Sequence, residues 1–167
     1  MNTIHSKKII HRNLNIDNIF VDVTNHAKIA DFEDSILMSV TEQINSAKER
    51  PFFLSRELLN NEEYNEKVDV FSFGVIMEFI LQRGKGHFTK RQDIIDGKKA
   101  KIPKSINKLS FSIILKCLSH SPEERPSFKA IIQTIKKFKF KLIDGIEDKI
   151  PIIEKHLKTL IDKKHSK

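Results

Sequence analysis

Residues 11–18 hold the side chains whose types and spacing best suit chemistry on a polar substrate. The segment reads, in order, His11-Arg12-Asn13-Leu14-Asn15-Ile16-Asp17-Asn18. The amide carbonyl of Asn13 can accept a hydrogen bond, but an amide has no titratable carboxylate and takes up no proton near pH 7. The residue types therefore indicate a polar binding site in which position 13 supplies no general base.

This segment is the first of five that resemble, in chain order, landmarks of the C-terminal lobe of a protein kinase. It is similar to the catalytic loop His-Arg-Asp-Leu-x-x-x-Asn, with Asn13 in the place of the catalytic Asp. The other four are residues 30–33 for Ala-Asp-Phe-Gly, 51–57 for Pro-x-Tyr-Met-Ala-Pro-Glu, 67–75 for the run that opens the central helix, and 121–127 for Asp-Pro-x-x-Arg-Pro-Ser. The resemblance extends from residue 4 to about residue 137 and is most like the tyrosine-kinase-like and Ser/Thr branches.

The resemblance implies roles at five reaction positions, three of which depart from the family's pattern. Asn18 and Asp31 stand at the two magnesium-ligand positions, and their hard oxygens suit that ion; the alternative is that Asn18 only hydrogen-bonds its own loop. Asn13 replaces the Asp that accepts the substrate's proton, and Asn15 replaces the Lys that neutralises the transferred phosphate. Glu33 replaces a Gly and adds negative charge beside the phosphate site. By resemblance, the scaffold is present and the reacting groups are missing.

Five other positions match the family where it uses a residue for structure. By resemblance, His11 packs under Phe32 and is anchored by Asp69 at the start of the central helix. Glu57 is expected to form a buried ion pair with Arg125, and losing one partner of such a pair is strongly destabilising. These matches indicate that structural positions are kept while reaction positions are not.

Arg12 stands at a position that often has a regulatory role in the family. There, its guanidinium pairs with a phosphorylated residue of the activation segment, using its two-pronged geometry. The hydroxyl side chains available for this are Ser35, Ser39, Thr41 and Ser46. The alternative is that these are ordinary loop residues.

The pattern of apolar residues predicts a mainly α fold, or α+β by family, with one small β-hairpin near residues 20–29. Helices are expected at about residues 69–82, 109–119 and 127–138, packed round the first of them because it is apolar on nearly all sides. Asp69 is the candidate N-cap of the first helix, Ser105 or Asn107 of the second and Ser127 of the third. Residues 1–140 are predicted to form a kinase-like C-terminal lobe, truncated at its N-terminus. Residues 141–167 are predicted to be a basic tail with an amphipathic helix that begins at Pro151.

Length and composition fit one intracellular domain with its N-terminal lobe absent. None of the five Gly residues lies in a Gly-x-Gly-x-x-Gly setting, so the phosphate-binding loop of the other lobe is missing from the sequence. The single Cys117 excludes a disulfide framework and is expected to be a small buried hydrophobe. No apolar run is long enough to span a bilayer and no signal peptide opens the chain, so we expect a cytoplasmic location, with the nucleus as the alternative.

These observations favour a pseudokinase fragment that acts by binding protein and has no assigned cofactor. ATP and magnesium are implied by resemblance alone. Self-association is expected through the apolar surface near Phe32 and Ile36 and along a residual helix over residues 3–10, which in the family faces the other lobe. The alternative is an active ATP-dependent Ser/Thr or Tyr kinase whose N-terminal lobe is missing here. A basic module for nucleic acid or membrane ranks last, because the net charge of +8 is its only support.

Overall fold

A computed structural model describes residues 1–39, 51–84, 91–98, 102–103, 106–138 and Pro151. Within these residues the chain is mainly helical with two small two-stranded sheets, which confirms the predicted fold class. The helices are α1 (Asn2–Ser6), α2 (Arg56–Leu59), α3 (Lys67–Leu81), α4 (Arg91–Ile95), α5 (Lys108–Cys117) and α6 (Phe128–Lys137). The strands are β1 (Ile9–Ile10), β2 (Ile19–Val21), β3 (Ala27–Ile29) and β4 (Ile36–Leu37), and 3₁₀ turns cover Ile16–Asn18, Pro51–Phe53 and Pro122–Glu124.

Helix α3 is buried over most of its length, as its all-round apolar character predicts. Core side chains pack against it in two clusters. One cluster comprises Ile10, Leu14, Phe53, Leu54, Leu58, Leu59, Val68, Phe71, Val75, Ile76 and Ile94. The other comprises Val70, Ile113, Cys117, Phe128 and Ile131. Helix α3 therefore packs against residues of the 11–18 loop and of the segment 53–59 in one cluster, and against α5 and α6 in the other.

Helices α3 and α5 approach closely at Gly74. A Cβ atom at this position would lie 2.7 Å from the Cβ of Cys117, so only glycine fits without a shift of the neighbouring helix. Cys117 is completely buried, and this burial raises the pKa of its thiol to about 12. The residue is therefore a small core hydrophobe, as predicted.

The helix ends confirm two of the predicted caps. The side chain of Asn107 accepts a hydrogen bond from the Leu109 N–H at 2.9 Å and so caps α5. The hydroxyl of Ser127 accepts from the Ala130 N–H at 3.2 Å and caps α6. Both helices therefore begin where the sequence places them.

The expectation that Asp69 caps α3 is wrong. The helix begins at Lys67, so Asp69 lies inside its first turn. Its carboxylate faces the backbone of residues 11 and 12 and does not cap its own helix. Those two N–H groups are buried with it, and they supply the partners that a buried carboxylate requires.

Strands β2 and β3 form the predicted hairpin. They pair antiparallel with Ile19 opposite Ile29 and Val21 opposite Ala27. The Asp22 carboxylate closes the turn by accepting hydrogen bonds from the N–H groups of Thr24 (2.9 Å) and His26 (3.0 Å). The Thr24 hydroxyl also donates to this carboxylate. Its bond has the largest effect, and together the three bonds lower the pKa of Asp22. The hairpin leads the chain from the end of the 11–18 loop to Asp31.

The second sheet corrects the expected residual helix over residues 3–10. Helix α1 ends at Ser6, and Ile9 and Ile10 are extended and pair antiparallel with Leu37 and Ile36. Two β-branched residues in succession favour this conformation. The pairing brings the segment that follows Asp31 alongside the residues that enter the 11–18 loop.

Several predictions fall outside the described residues. The amphipathic helix predicted after Pro151 is one, although Pro151 itself is helical. Thr41, Ser46 and the rest of residues 40–50 are another. The predicted division of the chain at residue 140 therefore stays a prediction. Among the described helices, none combines the length and apolar character needed to cross a bilayer.

Candidate functional site

The loop of residues 11–18 is tied to the central helix through Asp69. The backbone N–H groups of His11 and Arg12 each donate to one oxygen of this carboxylate at 2.9 Å. The Nε2 atom of His5, on α1, lies 2.8 Å from Asp69 Oδ2. Asp69 is only 1% exposed, so these bonds form in a medium where they are stronger than in water. The start of the loop therefore has a fixed position relative to the core.

The His11 ring fixes the other side of the loop. The Asn13 N–H donates to His11 Nδ1 at 3.3 Å, so Nε2 carries the ring hydrogen and donates it to the Ala30 carbonyl at 3.0 Å. The ring centroid lies 4.8 Å from that of Phe32. The structure thus places His11, Phe32 and Asp69 together as the sequence predicts. His11 holds the loop against the segment that carries Asp31.

Arg12 is buried and has a backbone φ of +62°, a conformation that is rare for residues other than glycine. Its Nε donates to the Asp34 carbonyl, and its Nη1 donates to the hydroxyl of Tyr64 at 3.0 Å. The guanidinium therefore connects the loop to two other segments. Its expected pairing with a phosphorylated residue stays a prediction, because Thr41 and Ser46 lie outside the described residues.

Three asparagines and Asp31 form one hydrogen-bonded group, which we call the Asp31 cluster (Asn13, Asn15, Asn18 and Asp31). The side-chain amides of Asn13 and Asn18 both donate to Asp31 Oδ2, each at 3.0 Å. Asn18 also donates to the Asn13 carbonyl at 2.9 Å. Asn15 donates to both oxygens of Asn13 at 3.1 Å. Four of the five residues predicted at reaction positions therefore lie together.

The Asp31 cluster contains a single carboxylate. One of its oxygens already accepts two amide hydrogen bonds, and the Asn13 amide acts there as a donor. Asp31 has a φ of +61°, a conformation that the surrounding structure must hold in place because it costs a non-glycine residue on the order of 1–3 kcal/mol. Glu33 is exposed beside it. In the part of the chain that the structure describes, no group of three or more His, Cys, Asp or Glu side chains is arranged to hold a metal ion.

Glu57 and Arg125 form the predicted buried ion pair. Arg125 Nη1 lies 2.5 Å from Glu57 Oε1, and Nη2 lies 3.2 Å from Oε2. The exposed fractions are 2% for Glu57 and 1% for Arg125. The guanidinium also lies over the Phe71 ring, 5.1 Å from its centroid. Its remaining hydrogen bonds go to backbone carbonyls, those of Lys67, Ser119 and His120.

Sequence reasoning missed two contributors to the site. One is His5, whose ring contacts both Asp69 and the edge of Phe128, with 5.1 Å between the ring centroids. The other is Tyr64, the hydroxyl partner of Arg12. Neither is signalled by local pattern, because each contact joins residues that are far apart in the chain.

Comparisons with known proteins agree with the motif order. The family model described as protein tyrosine and serine/threonine kinase matches residues 1–135. The chain is 32% identical over 158 residues to the probable serine/threonine-protein kinase kinX of Dictyostelium discoideum, a match that covers 87% of this chain. It is 34% identical over 145 residues to the serine/threonine-protein kinase CTR1 of Arabidopsis thaliana, covering 81% of this chain.

A tyrosine kinase receptor is similar to a comparable degree. The chain is 30% identical over 156 residues to the tyrosine kinase receptor Cad96Ca of Drosophila melanogaster, covering 88% of this chain. The matched regions make up only 14% of kinX, 18% of CTR1 and 20% of Cad96Ca. The activities in these names therefore describe proteins several times longer than this chain.

Proposed function

The chain belongs to the protein tyrosine and serine/threonine kinase family, and on that premise we propose that it acts by binding another protein and transfers no phosphate itself. A general base contributes roughly 10²–10⁴ to the rate of such a reaction. The position that supplies it in the family is occupied here by Asn13. The proposal concerns the 167 residues of this chain and not the longer proteins it resembles.

The observation that carries the proposal is the hydrogen bond from Asn13 Nδ2 to Asp31 Oδ2, 3.0 Å long. An ionised Asp at position 13 could not form it, because two carboxylates at this distance repel each other unless a cation lies between them. The amide removes one negative charge from the site and supplies a donor to the remaining carboxylate. This supports a cluster that is stable by itself over one that needs a metal ion.

Charge at the neighbouring positions supports the same conclusion. Asn15 is buried, and its side chain is used by the loop, since its oxygen accepts from the Asp17 N–H at 2.8 Å. It offers no positive charge to a transferred phosphate. By resemblance, Glu33 adds a negative charge beside the phosphate site. Both substitutions leave the charge of a phosphoryl transition state less compensated.

The alternative function is ATP-dependent transfer of phosphate to a protein hydroxyl, and one observation favours it. Asn18 and Asp31 lie in contact, and they offer an amide oxygen and a carboxylate, which are hard ligands of the kind that magnesium takes. These two residues would hold the ion, and the ion would neutralise phosphate charge. Nucleotide phosphates and water would have to complete its coordination.

The proposed binding role has a candidate surface on the hairpin side of the molecule. Phe20, Val21, Phe32 and Leu37 are large apolar residues with 45–66% of their surface exposed, and Val23 at the turn is fully exposed. The expected surface over α1 is not part of it, since no large apolar side chain of α1 is exposed. Exposed apolar side chains that lie together are typical of surfaces that bind protein. We propose that a protein partner, or a second copy of this chain, covers it.

A phosphotransfer assay on the purified chain tests the proposal. Labelled ATP with magnesium is incubated with the chain and with casein or a Glu-Tyr copolymer, and the Asn18→Ala, Asp31→Ala double variant serves as the blank. We expect equal incorporation in both. Incorporation by the wild-type chain above this blank would refute the proposal and establish the alternative. Sedimentation tests the binding surface, because a Leu37→Ser, Phe20→Ser variant should be monomeric where the wild-type chain associates.

A further inference from the structure

A second candidate binding site lies between helices α3, α4 and α5, on a different part of the molecule from the Asp31 cluster. It is a cavity of about 470 Å³, which we call the α4–α5 pocket. Its apolar lining comes from three helices or their ends and includes Phe71, Ile94 and Leu118. The volume lies in the range of roughly 300–1,000 Å³ that is typical of ligand sites. No residue of the 11–18 loop or of the hairpin lines it.

The walls of the α4–α5 pocket are held by close contacts. Gly97, just after α4, has a φ of +65°, and a Cβ atom there would lie 2.6 Å from Nδ1 of His120. Arg125 forms another part of the lining, and its ion pair with Glu57 fixes it in place. The pocket is therefore formed by packing that exists without a ligand, which reduces the conformational entropy that the protein loses on binding.

Cationic side chains outnumber acidic ones in the lining of the pocket. Arg56, Lys98 and Lys116 line it, while Glu124 is the one acidic residue of the lining and accepts a hydrogen bond from the Ser119 hydroxyl. Arg56 and Lys98 have acidic partners outside the lining, which are Glu62 and Asp93.

Lys116 differs from these two cations. Within the part of the chain that the structure describes, it has no ion pair, and it is exposed. Its neighbour Leu115, also in the lining, is 41% exposed. An unpaired cation thus stands directly beside exposed apolar surface at the mouth of the pocket.

We propose that the α4–α5 pocket binds a short segment of a partner protein in which an apolar side chain is flanked by acidic residues. The apolar side chain fills the space against Phe71, Ile94 and Leu118, where burial of apolar surface provides the affinity. The flanking carboxylates face Lys116, which provides specificity for acidic sequences. This rests on the proposed binding function and names the chemistry of the partner, at a site separate from the hairpin surface.

Fluorescence anisotropy with a defined peptide tests the inference. The probe is fluorescein-labelled Glu-Glu-Leu-Phe-Glu-Glu amide, titrated with the full chain. Two comparison peptides replace either the four Glu by Lys or the Leu-Phe pair by Ser-Ser. Lys116→Glu is the test variant, and Lys136→Glu is its matched control, since Lys136 is also exposed in the last turn of a helix and does not line the pocket. Equal melting temperatures for the two variants and the wild type establish that both fold.

We expect the acidic apolar peptide to bind the wild type and the Lys136→Glu variant equally, and the Lys116→Glu variant about tenfold more weakly, because a surface attraction becomes a repulsion. Neither comparison peptide should bind. Absence of binding, equal binding of the Ser-Ser or Lys peptide, or equal weakening by both variants would overturn the inference. Displacement of the probe by dodecanoate in preference to unlabelled peptide would also overturn it and assign the pocket to an amphipathic acid. Phosphotransfer by the chain would refute the proposed function without changing any of these binding results.

Discussion

The Glu57–Arg125 pair and the Asp31 cluster are both polar groups at positions named by family motifs, yet their environments are opposite. Glu57 and Arg125 are at most 2% exposed, and the guanidinium has a carboxylate, three carbonyls and an aromatic ring around it. Asp31 is exposed, and its hydrogen-bond donors are neutral amides. The first group matches the family's residues, and the second departs from them at Asn13 and Asn15.

The difference has a physical explanation. Removing one charge from a buried pair leaves the other without a partner in a medium that solvates it poorly. Replacing a carboxylate by an amide at position 13 leaves no such defect, because the amide finds an acceptor in Asp31 and the site is open to water. Folding therefore constrains Glu57 and Arg125 strictly and position 13 only weakly. The fold would therefore survive a change at position 13 that abolished the reaction.

The largest effect is expected from Glu57→Gln. This change keeps the volume of the side chain but leaves the Arg125 guanidinium buried without its counter-ion, so the free energy of unfolding should fall by about 3–5 kcal/mol. Urea denaturation followed by circular dichroism measures it. The matched control is Glu62→Gln, whose partner Arg56 is 33% exposed. That pair should contribute below about 1 kcal/mol.

Similar losses for Glu57→Gln and Glu62→Gln would mean that burial does not determine the cost of removing a charge. The explanation given for the difference between the two regions would then be wrong. A double variant, Glu57→Gln with Arg125→Met, tests whether the unpaired charge causes the loss of stability. If the unpaired charge is the cause of the loss, the double variant should be more stable than the Glu57→Gln variant alone.

Asp69 anchors the start of the 11–18 loop, and Asp69→Asn should have the next largest effect. Asp69 accepts from two backbone N–H groups and lies against His5, and an amide cannot accept with both of its ends. Hydrogen bonds to a charged group contribute about 1.5–3 kcal/mol, so we expect a loss of about 2 kcal/mol. Hydrogen exchange at residues 11–18 should also accelerate. Unchanged exchange there, or an equal loss from Asp96→Asn at the exposed residue just after α4, would contradict the anchoring role.

The sequence predicts α3, α5, α6 and the hairpin because local pattern determines each of them. The all-round apolar run, the caps at Asn107 and Ser127, and the turn at residues 22–26 are all readable within a few neighbouring residues. The residues of the Asp31 cluster were predicted because their motifs resemble those of the kinase family in the same order. In that family, these separate segments meet at one site. Their mutual hydrogen bonds were not predicted.

Other features depend on tertiary placement that local pattern does not contain. Strands β1 and β4 are two residues each, and neither has an alternation long enough to reveal a partner. Asp69 looks like a helix cap in sequence, and only the position of the 11–18 loop gives it a different role. The α4–α5 pocket depends on where three helices meet, so no single segment could signal it.

The smallest effect, and the most informative on the reaction site, is expected from Asn13→Asp. The new carboxylate loses the 3.0 Å hydrogen bond to Asp31 and faces it as a like charge. Because the site is exposed and screened, we expect the free energy of unfolding to fall by only about 1 kcal/mol without divalent ions.

Magnesium should then restore the stability that Asn13→Asp loses, because a cation between two carboxylates offsets their repulsion. The stability of the wild type should hardly change. Melting temperatures with and without millimolar MgCl₂ measure this difference. Asn107→Asp is the control, since Asp caps a helix as well as Asn does and creates no carboxylate pair. If magnesium stabilises the wild type and Asn13→Asp equally, the wild-type cluster already binds the ion. The absence of a second carboxylate would then no longer distinguish this site from one that binds magnesium and nucleotide.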